Sequence, residues 1–219
     1  LQAAVTEQLT NFKPAAQQAL LALLVDMPKA NAHDGLLKLV QQSPDEAVRV
    51  AALKCLVVHG KPEDCALMLQ LAGKGDAADH KAAAAALERM SAQGVNEELG
   101  KLLEKAGGAE RAKLLELLAK RRATGALPSV LKLAQGADAA AAKEAVKALE
   151  TLGTVNELEA TAGLLAKSTD EALRGALESA ASAICSRTED KAACEKAVLP
   201  SLANAKGPAR AAVLFGPML

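Results

Sequence analysis

One unit, a helix, a glycine turn and a second helix, recurs along this chain, and the recurrence limits the fold more than any other feature. The reference copy runs from Asp45 to Asp76 (DEAVRVAALKCLVVHGKPEDCALMLQLAGKGD). An Asp opens it, an Ala/Val/Leu-rich helix runs to His59-Gly60, Lys61-Pro62 turns the chain, and a second helix runs to Gly73. The same marks return after about 28–34 residues, inside the range of two-helix repeats. Asp45, Asp79, Asp138 and Asp170 each precede an Ala-rich run, where a carboxylate accepts the orphan N–H groups of a first turn and favours the positive end of the helix dipole. Gly60, Gly94 and Gly153 follow the first helices, at positions that usually demand the left-handed conformation. Apolar residues fall at helical spacing between these marks, as in Val48, Ala51, Ala52, Cys55 and Leu56. Pro128 suits the first turn of a second helix, whereas Pro200 lies deeper and predicts a kink or a late start.

The copies follow in order. Leu1 to Phe12 reads as the second helix of a truncated copy. Complete pairs then cover Pro14 to Ser43, Asp45 to Asp76, Asp79 to Gly108, Glu110 to Gly136, Ala139 to Lys167 and Asp170 to Lys206, and Pro208 to Phe215 opens another first helix. The Glu110 copy lacks a turn Gly and has Lys120-Arg121-Arg122 instead. Nothing reads as a strand and no linker intervenes. Residues 1–219 are therefore expected to form a single all-α domain of about six hairpins with incomplete repeats at both ends, and the chain reads as a piece of a longer protein. One hairpin cannot bury its apolar face alone, so neighbours must stack and share a core.

Composition narrows the function classes. Lys+Arg and Asp+Glu both number 26, giving a formal net charge of zero, whereas a protein that grips phosphate backbones usually carries a basic excess. Nucleic acid is thus not an expected partner. Aromatic residues are limited to Phe12 and Phe215, which argues against base stacking, cofactor pockets and aromatic-anchored interfaces. No apolar run approaches the roughly 18–20 residues needed to span a bilayer.

The chemistry-bearing residues are few. Cys55 and Cys65 bracket one turn, and Cys185 and Cys194 bracket another. Two such pairs suggest disulfides and an oxidising compartment. The competing reading is reduced core thiols, because Cys55 takes a position held by Ala in a sister copy and packed helix axes sit 8–10 Å apart. Cys55, His59 and Cys65 form C-x3-H-x5-C beside Asp64. That offers at most three clear zinc ligands where a structural site wants four, and His59 takes a position filled by Leu152 elsewhere. His33 falls where Cys65 sits in its own copy and reads as a half-buried core residue. His80, after Asp79, reads as solvated. Gly73 and Gly75 end a helix and do not follow a strand, so they make no phosphate cradle. The serines lack a nucleophile elbow. Glu63-Asp64 and Glu97-Glu98 sit at starts of second helices, where the dipole accounts for them. Glu116 and Lys120 read as an i,i+4 surface pair, and the Lys120–Arg122 run as a solvated turn. No catalytic, cofactor-binding or metal-binding residue is assigned, and no enzymatic activity or cofactor is expected.

The copy from Asp45, with its Asp, Val48-Arg49, Ala-rich stretch, Gly60, acidic turn and Leu-rich second helix, resembles bacterial HEAT repeats of the short phycobilisome-lyase-type class. Arg49, Arg111 and Arg174 hold the family's Arg position, while Ala83 and Ala142 replace it in other copies. The resemblance covers essentially the whole chain. It implies a right-handed α-solenoid of stacked two-helix repeats, and it is nearly silent on function. Ala-rich arrays of this kind are also similar to those appended to large bacterial extracytoplasmic proteins. The expected function is a non-enzymatic scaffold for protein–protein interaction. Its unidentified protein partner would sit on the concave wall, by analogy the second-helix face, where Asp64, Gln70, Glu98, Lys101, Lys105, Lys132, Gln135, Glu157, Thr161, Glu195 and Ser201 are expected to point outward. The alternatives are an accessory or regulatory domain of a larger enzyme, or a bilin-lyase-like chaperone, for which two Phe offer little of a pocket. A HEAT-like DNA glycosylase would want a basic, aromatic groove that this neutral chain lacks.

Overall fold

A computed structural model describes residues 9–74 and 77–202. Among these residues there are twelve α-helices, three short 3₁₀ segments and no strand. In chain order the α-helices are α1 (Pro14–Leu24), α2 (His33–Gln42), α3 (Glu46–His59), α4 (Cys65–Ala72), α5 (Ala78–Arg89), α6 (Val95–Lys105), α7 (Gly108–Arg121), α8 (Leu127–Ala134), α9 (Ala139–Leu152), α10 (Val155–Lys167), α11 (Glu171–Arg187) and α12 (Lys191–Leu202). Among the described residues no helix is long and apolar enough to cross a membrane. Of the expected half-repeat Leu1 to Phe12, residues 1–8 lie outside the described residues and Leu9–Asn11 form a 3₁₀ segment; the half-repeat Pro208 to Phe215 lies outside them.

Side chains cap the starts of α3, α9, α10 and α11. The carboxylate of Asp45 accepts from Val48 N–H at 3.1 Å, that of Asp138 from Ala140 and Ala141, and that of Asp170 from Leu173 at 2.8 Å. Each satisfies donors that the first turn leaves without a partner. Thr154 and Glu157 close a reciprocal capping box ahead of α10. Asp79 departs from the expected role. It lies inside the first turn of α5, whose capping residue is Ala77, and the Ala78 N–H is taken instead by the Glu46 carboxylate from one copy earlier, at 2.9 Å. Pro128 occupies the first turn of α8 as expected. Helix α12 runs through Pro200 near its end and does not start late.

The turn glycines correct a second expectation. Gly94 has φ +89°, the left-handed geometry that glycine alone adopts freely. Gly60 and Gly153 have φ −70° and −59° and lie in extended backbone. Their requirement is space. A Cβ on Gly60 would overlap the Leu56 carbonyl oxygen and lie 2.7 Å from Met90 Cε, and one on Gly153 would lie 2.6 Å from both the Leu149 carbonyl oxygen and Ile184 Cδ1. In the copy without a turn Gly, Arg122 itself takes the left-handed cap, at φ 51° and ψ 47°.

The chain divides into two compact units at Glu98/Leu99, a point inside α6. In the first unit the backbones come closest in the pairs α1/α3, α2/α3, α3/α5 and α4/α5. The second unit repeats the scheme with α7/α9, α8/α9, α9/α11 and α10/α11, and it adds contacts among α8, α10 and α12. A first helix such as α3 or α9 therefore lies against the first helices before and after it and against the preceding second helix. The helices that flank one glycine turn, such as α9 and α10, are not among these closest pairs. The hairpin is the unit legible in the sequence, but the close approach is between successive copies. Alanine explains why: Ala83 and Ala86 in α5, and Ala141, Ala142 and Ala145 in α9, are buried with almost no exposed surface, so little side chain separates the backbones. Leu and Met fill the remaining seams, with Leu53, Leu56, Met68 and Leu87 in the first unit and Leu114, Leu118, Leu149 and Ile184 in the second.

Candidate functional site

The polar side chains of successive copies meet along the helix starts. Arg49 Nε donates to Asp79 Oδ2 at 2.7 Å, and its Nη1 donates to the carbonyls of Ser43 and Pro44. Arg111 Nη1 donates to Asp138 at 3.1 Å, and Lys143 Nζ lies 3.8 Å from Asp170. The Arg position of the repeat thus has a physical role, because its cation reaches the acid that opens the next copy. In the copy with Ala142, Lys143 supplies the charge from the neighbouring position. For Arg174 the sequence holds no acid at the corresponding interval, since residues 196–219 contain neither Asp nor Glu.

The acids respond in the direction this arrangement demands. Burial raises the Asp79 carboxyl, but the Arg49 hydrogen bond and charge, together with His80, outweigh it and hold the pKa below the usual value. The Asp138 carboxyl is lowered first by the Ala141 N–H and then by Arg111. That of Asp170 is lowered first by the Leu173 N–H, with Lys143 a smaller contributor. On the surface of the second unit Glu104 joins Lys132 and Ser129, and these bonds lower its pKa.

A second cluster joins α2 to the turn of the next copy. His33 Nε2 lies 2.9 Å from Asp64 Oδ2, and its Nδ1 lies 3.1 Å from Asp34 Oδ1. Asp64 also accepts the Lys61 N–H at 2.7 Å. The Asp64 side chain is 3% exposed, so the outward orientation expected of it is wrong: it is a buried acid that closes the turn and pairs with a histidine. His33 is half-buried, as its repeat position suggested, and its hydrogen bonds to Asp34 and Asp64 were not foreseen.

Cys55 and His59 of the C-x3-H-x5-C set are drawn into packing against α1. Cys55 Sγ donates to the Leu21 carbonyl at 3.1 Å, and His59 Nε2 lies 2.9 Å from the Leu24 carbonyl. Burial pushes the Cys55 thiol up to about 12. Among the described residues no group of three or more His, Cys, Asp or Glu is placed to hold a metal ion. None of the four cysteines is in a disulfide. His80 is half-buried against Asp79 and is not fully solvated as expected.

The second helices of the second unit carry a cleft of about 710 Å³. Asn156, Glu159 and Lys167 of α10 line it, with Gln135 at the end of α8 and Pro200 and Ser201 of α12. Ala160 and Gly163 leave its floor low. Of the residues expected to face outward, Gln70, Lys101, Lys105, Lys132, Gln135 and Glu195 are exposed. Glu98 is half-exposed, and Glu157 is occupied in the capping box of Thr154. Thr161 and Ser201 are buried, which corrects the expectation for both. Thr161 can be buried because its hydroxyl bonds back to the Glu157 carbonyl at 2.8 Å. In the first unit a smaller, more apolar cleft of about 500 Å³ lies over α1 and α3, lined by Leu21, Val25, Val50 and Ala51 with Glu46 and Lys54 at its edge.

No family model matches the chain, and no curated protein matches it. Among solved structures it is similar to the crystal structure of an engineered protein, with 21% identity over 84% of this chain and 96% of that one, at a TM-score of 0.41.

Proposed function

We propose that this chain is a non-enzymatic protein-interaction module, a right-handed α-solenoid of HEAT-like repeats that holds a partner on its second-helix face. The observation that carries the reading is the cleft over α8, α10 and α12, where second helices lie side by side and present polar and charged groups over an Ala/Gly floor. Recognition there would rest on Gln135, Asn156, Glu159 and Lys167, a mixed set suited to hydrogen bonds and charge pairs with a polar polypeptide surface. The charged groups at the helix starts are engaged in holding one copy to the next.

The reading is tested with a photo-crosslinking amino acid placed singly at Gln135, Glu159 or Lys167, and at Val50 on the first-helix face of the other unit. Saturable crosslinking of one protein from the first three positions, abolished by Glu159→Lys/Lys167→Glu while helical content is unchanged, is the expected result. Crosslinking from Val50 alone, or equally from all four positions, overturns it.

A further inference from the structure

We propose that the cleft over α8, α10 and α12 takes one extended segment of the partner, about five residues long, with a basic residue at one end, an acidic residue at the other and a small residue between them. This rests on the reading that the cleft is the partner site, and it fixes the form of what enters. Helix α10 lines the cleft from Asn156 to Lys167, a run of about 16 Å at the helical rise. A strand is about 4.8 Å by 10 Å in cross-section and fills about 770 Å³ over that length. A helix about 10 Å across would need at least about 1,200 Å³. The cleft holds about 710 Å³, so it has room for a strand and not for a helix.

Two features of the floor suit a main chain resting on it. Gly163 lies inside α10, where glycine is a poor helix former. Packing does not require it: among the described residues outside α10, a Cβ there would meet only Ser201 Oγ, at 3.9 Å. What the missing side chain provides is access to the helix backbone. Ser201 of α12 is 6% exposed and lines the cleft, and its hydroxyl makes no hydrogen bond to another described residue. The buried Thr161 hydroxyl, by contrast, is bonded within its own helix. A buried hydroxyl is costly without a partner, and a peptide N–H or C=O crossing Gly163 supplies one.

The charges set the spacing. Glu159 and Lys167 are exposed at the cleft, each four residues from Gly163, and neither is paired with a described residue. They stand about 12 Å apart along α10. Residues i and i+4 of a strand are about 13 Å apart and share one face. Opposite charges at those two positions therefore meet Lys167 and Glu159 together, and residue i+2, over Gly163, must be small. Neither end of this chain outside the described residues fits, because 203–219 contains no acid and 1–8 no Lys or Arg.

The test titrates two peptides, Thr-Lys-Val-Ala-Thr-Glu-Thr and its reverse Thr-Glu-Thr-Ala-Val-Lys-Thr, into the isotope-labelled full chain and follows the backbone amides by NMR. One of the two should shift the Gly163 and Ser201 amides and bind about tenfold more tightly than Thr-Lys-Glu-Ala-Val-Thr-Thr, whose charges are adjacent. Gly163→Ala should weaken that binding at least about fivefold while raising the melting temperature by about 2–4 °C. A purely structural glycine would not move the two in opposite directions. Ser201→Ala, with helical content unchanged, should weaken binding about 3–10-fold. Failure of both peptides to bind, equal binding of the control, or binding indifferent to Gly163→Ala would overturn the proposal, as would self-association of the chain that Glu159→Lys abolishes. A protein that crosslinks from Gln135, Glu159 and Lys167 but binds the Gly163→Ala chain equally well would overturn the extended segment and leave the wider reading standing. Peptide shifts confined to the other unit would overturn both.

Discussion

Removing the Arg49 guanidinium tests whether the contact between successive copies is energetic or decorative. The Arg49 side chain is 24% exposed and that of Asp79 12%, so the pair is neither bathed in water nor sealed from it. The 2.7 Å bond is charge-assisted, a class worth about 1.5–3 kcal/mol. Arg49→Met keeps the apolar stem but strands a desolvated carboxylate and frees the Ser43 and Pro44 carbonyls. Loss of one partner in a fully buried pair costs about 3–5 kcal/mol, and partial exposure reduces this through screening, leaving about 2–3 kcal/mol. Urea unfolding followed by far-UV circular dichroism measures it. Asp79→Asn alone and the double variant complete a cycle whose coupling should be about 1–2 kcal/mol. Because the folded Asp79 carboxyl titrates below its unfolded value of about 3.9, its contribution is fully present above that value and is lost as pH falls through the folded one. The stability gap between the parent chain and Arg49→Met should therefore shrink on acidification below about pH 4. A coupling near zero, or a gap unchanged between neutral and acid pH, would refute the assignment.

Three further substitutions separate the packing effects. Gly153→Ala places a Cβ against Ile184 and the Leu149 carbonyl and should cost about 1–3 kcal/mol; Ile184→Val should recover part of that loss, and absence of rescue in chemical denaturation would show that the Leu149 carbonyl is the contact responsible. Arg122→Gly relieves a left-handed arginine and should stabilise by roughly 0.5–1 kcal/mol, so a loss of stability would mean that the Arg122 side chain matters more than its backbone. His33→Ala removes the partner of the buried Asp64 and should cost about 2–4 kcal/mol. Combined with Asp64→Asn the loss should be well below the sum of the two single losses, and additivity would break the proposed link.

The helices were legible because their signals are local. Asp45, Asp138 and Asp170 cap as their positions imply, Pro128 sits in a first turn, and apolar spacing located all six helical pairs. What depends on a neighbouring copy was not legible from one copy. Gly60 and Gly153 have the same sequence context as Gly94, yet two are needed for space and one for its dihedral angle. The space is closed by the carbonyl of Leu56 or Leu149 in the preceding helix and by Met90 or Ile184, about one repeat further on. Thr161 and Ser201 look surface-bound on a helical projection and are buried, because a projection assigns one apolar face whereas these helices pack against more than one neighbour, and Asp64 is buried in the turn before α4 by its bond to His33.

A signal for the polar contacts was nevertheless present, and it becomes visible when the chain is wrapped at its own period. In a stack, the neighbour of a residue on one copy lies about one repeat further along, so a side-chain donor and an acid separated by that interval are candidates for contact. His33 and Asp64, Arg49 and Asp79, Arg111 and Asp138, and Lys143 and Asp170 all satisfy this, at separations of 31, 30, 27 and 27 residues. Aligning copies column by column conceals the pairing, because it sets Arg49 beside Arg111 and Arg174, Asp79 beside Asp138 and Asp170, and His33 beside Cys65. It also counts Ala142 as a missing arginine, although Lys143 delivers a cation to the same kind of acceptor from the adjacent position. A lysine reaches an acid from more than one helix position with its flexible stem, whereas the planar arginine fork is tied to a fixed geometry. The Lys143–Asp170 pair is the longer of these contacts and both of its side chains are more than 40% exposed. Its contribution should consequently be near the surface value of about 0–1 kcal/mol, so that the contact between copies is strongest where Arg49 holds Asp79 and weakest where a lysine stands in.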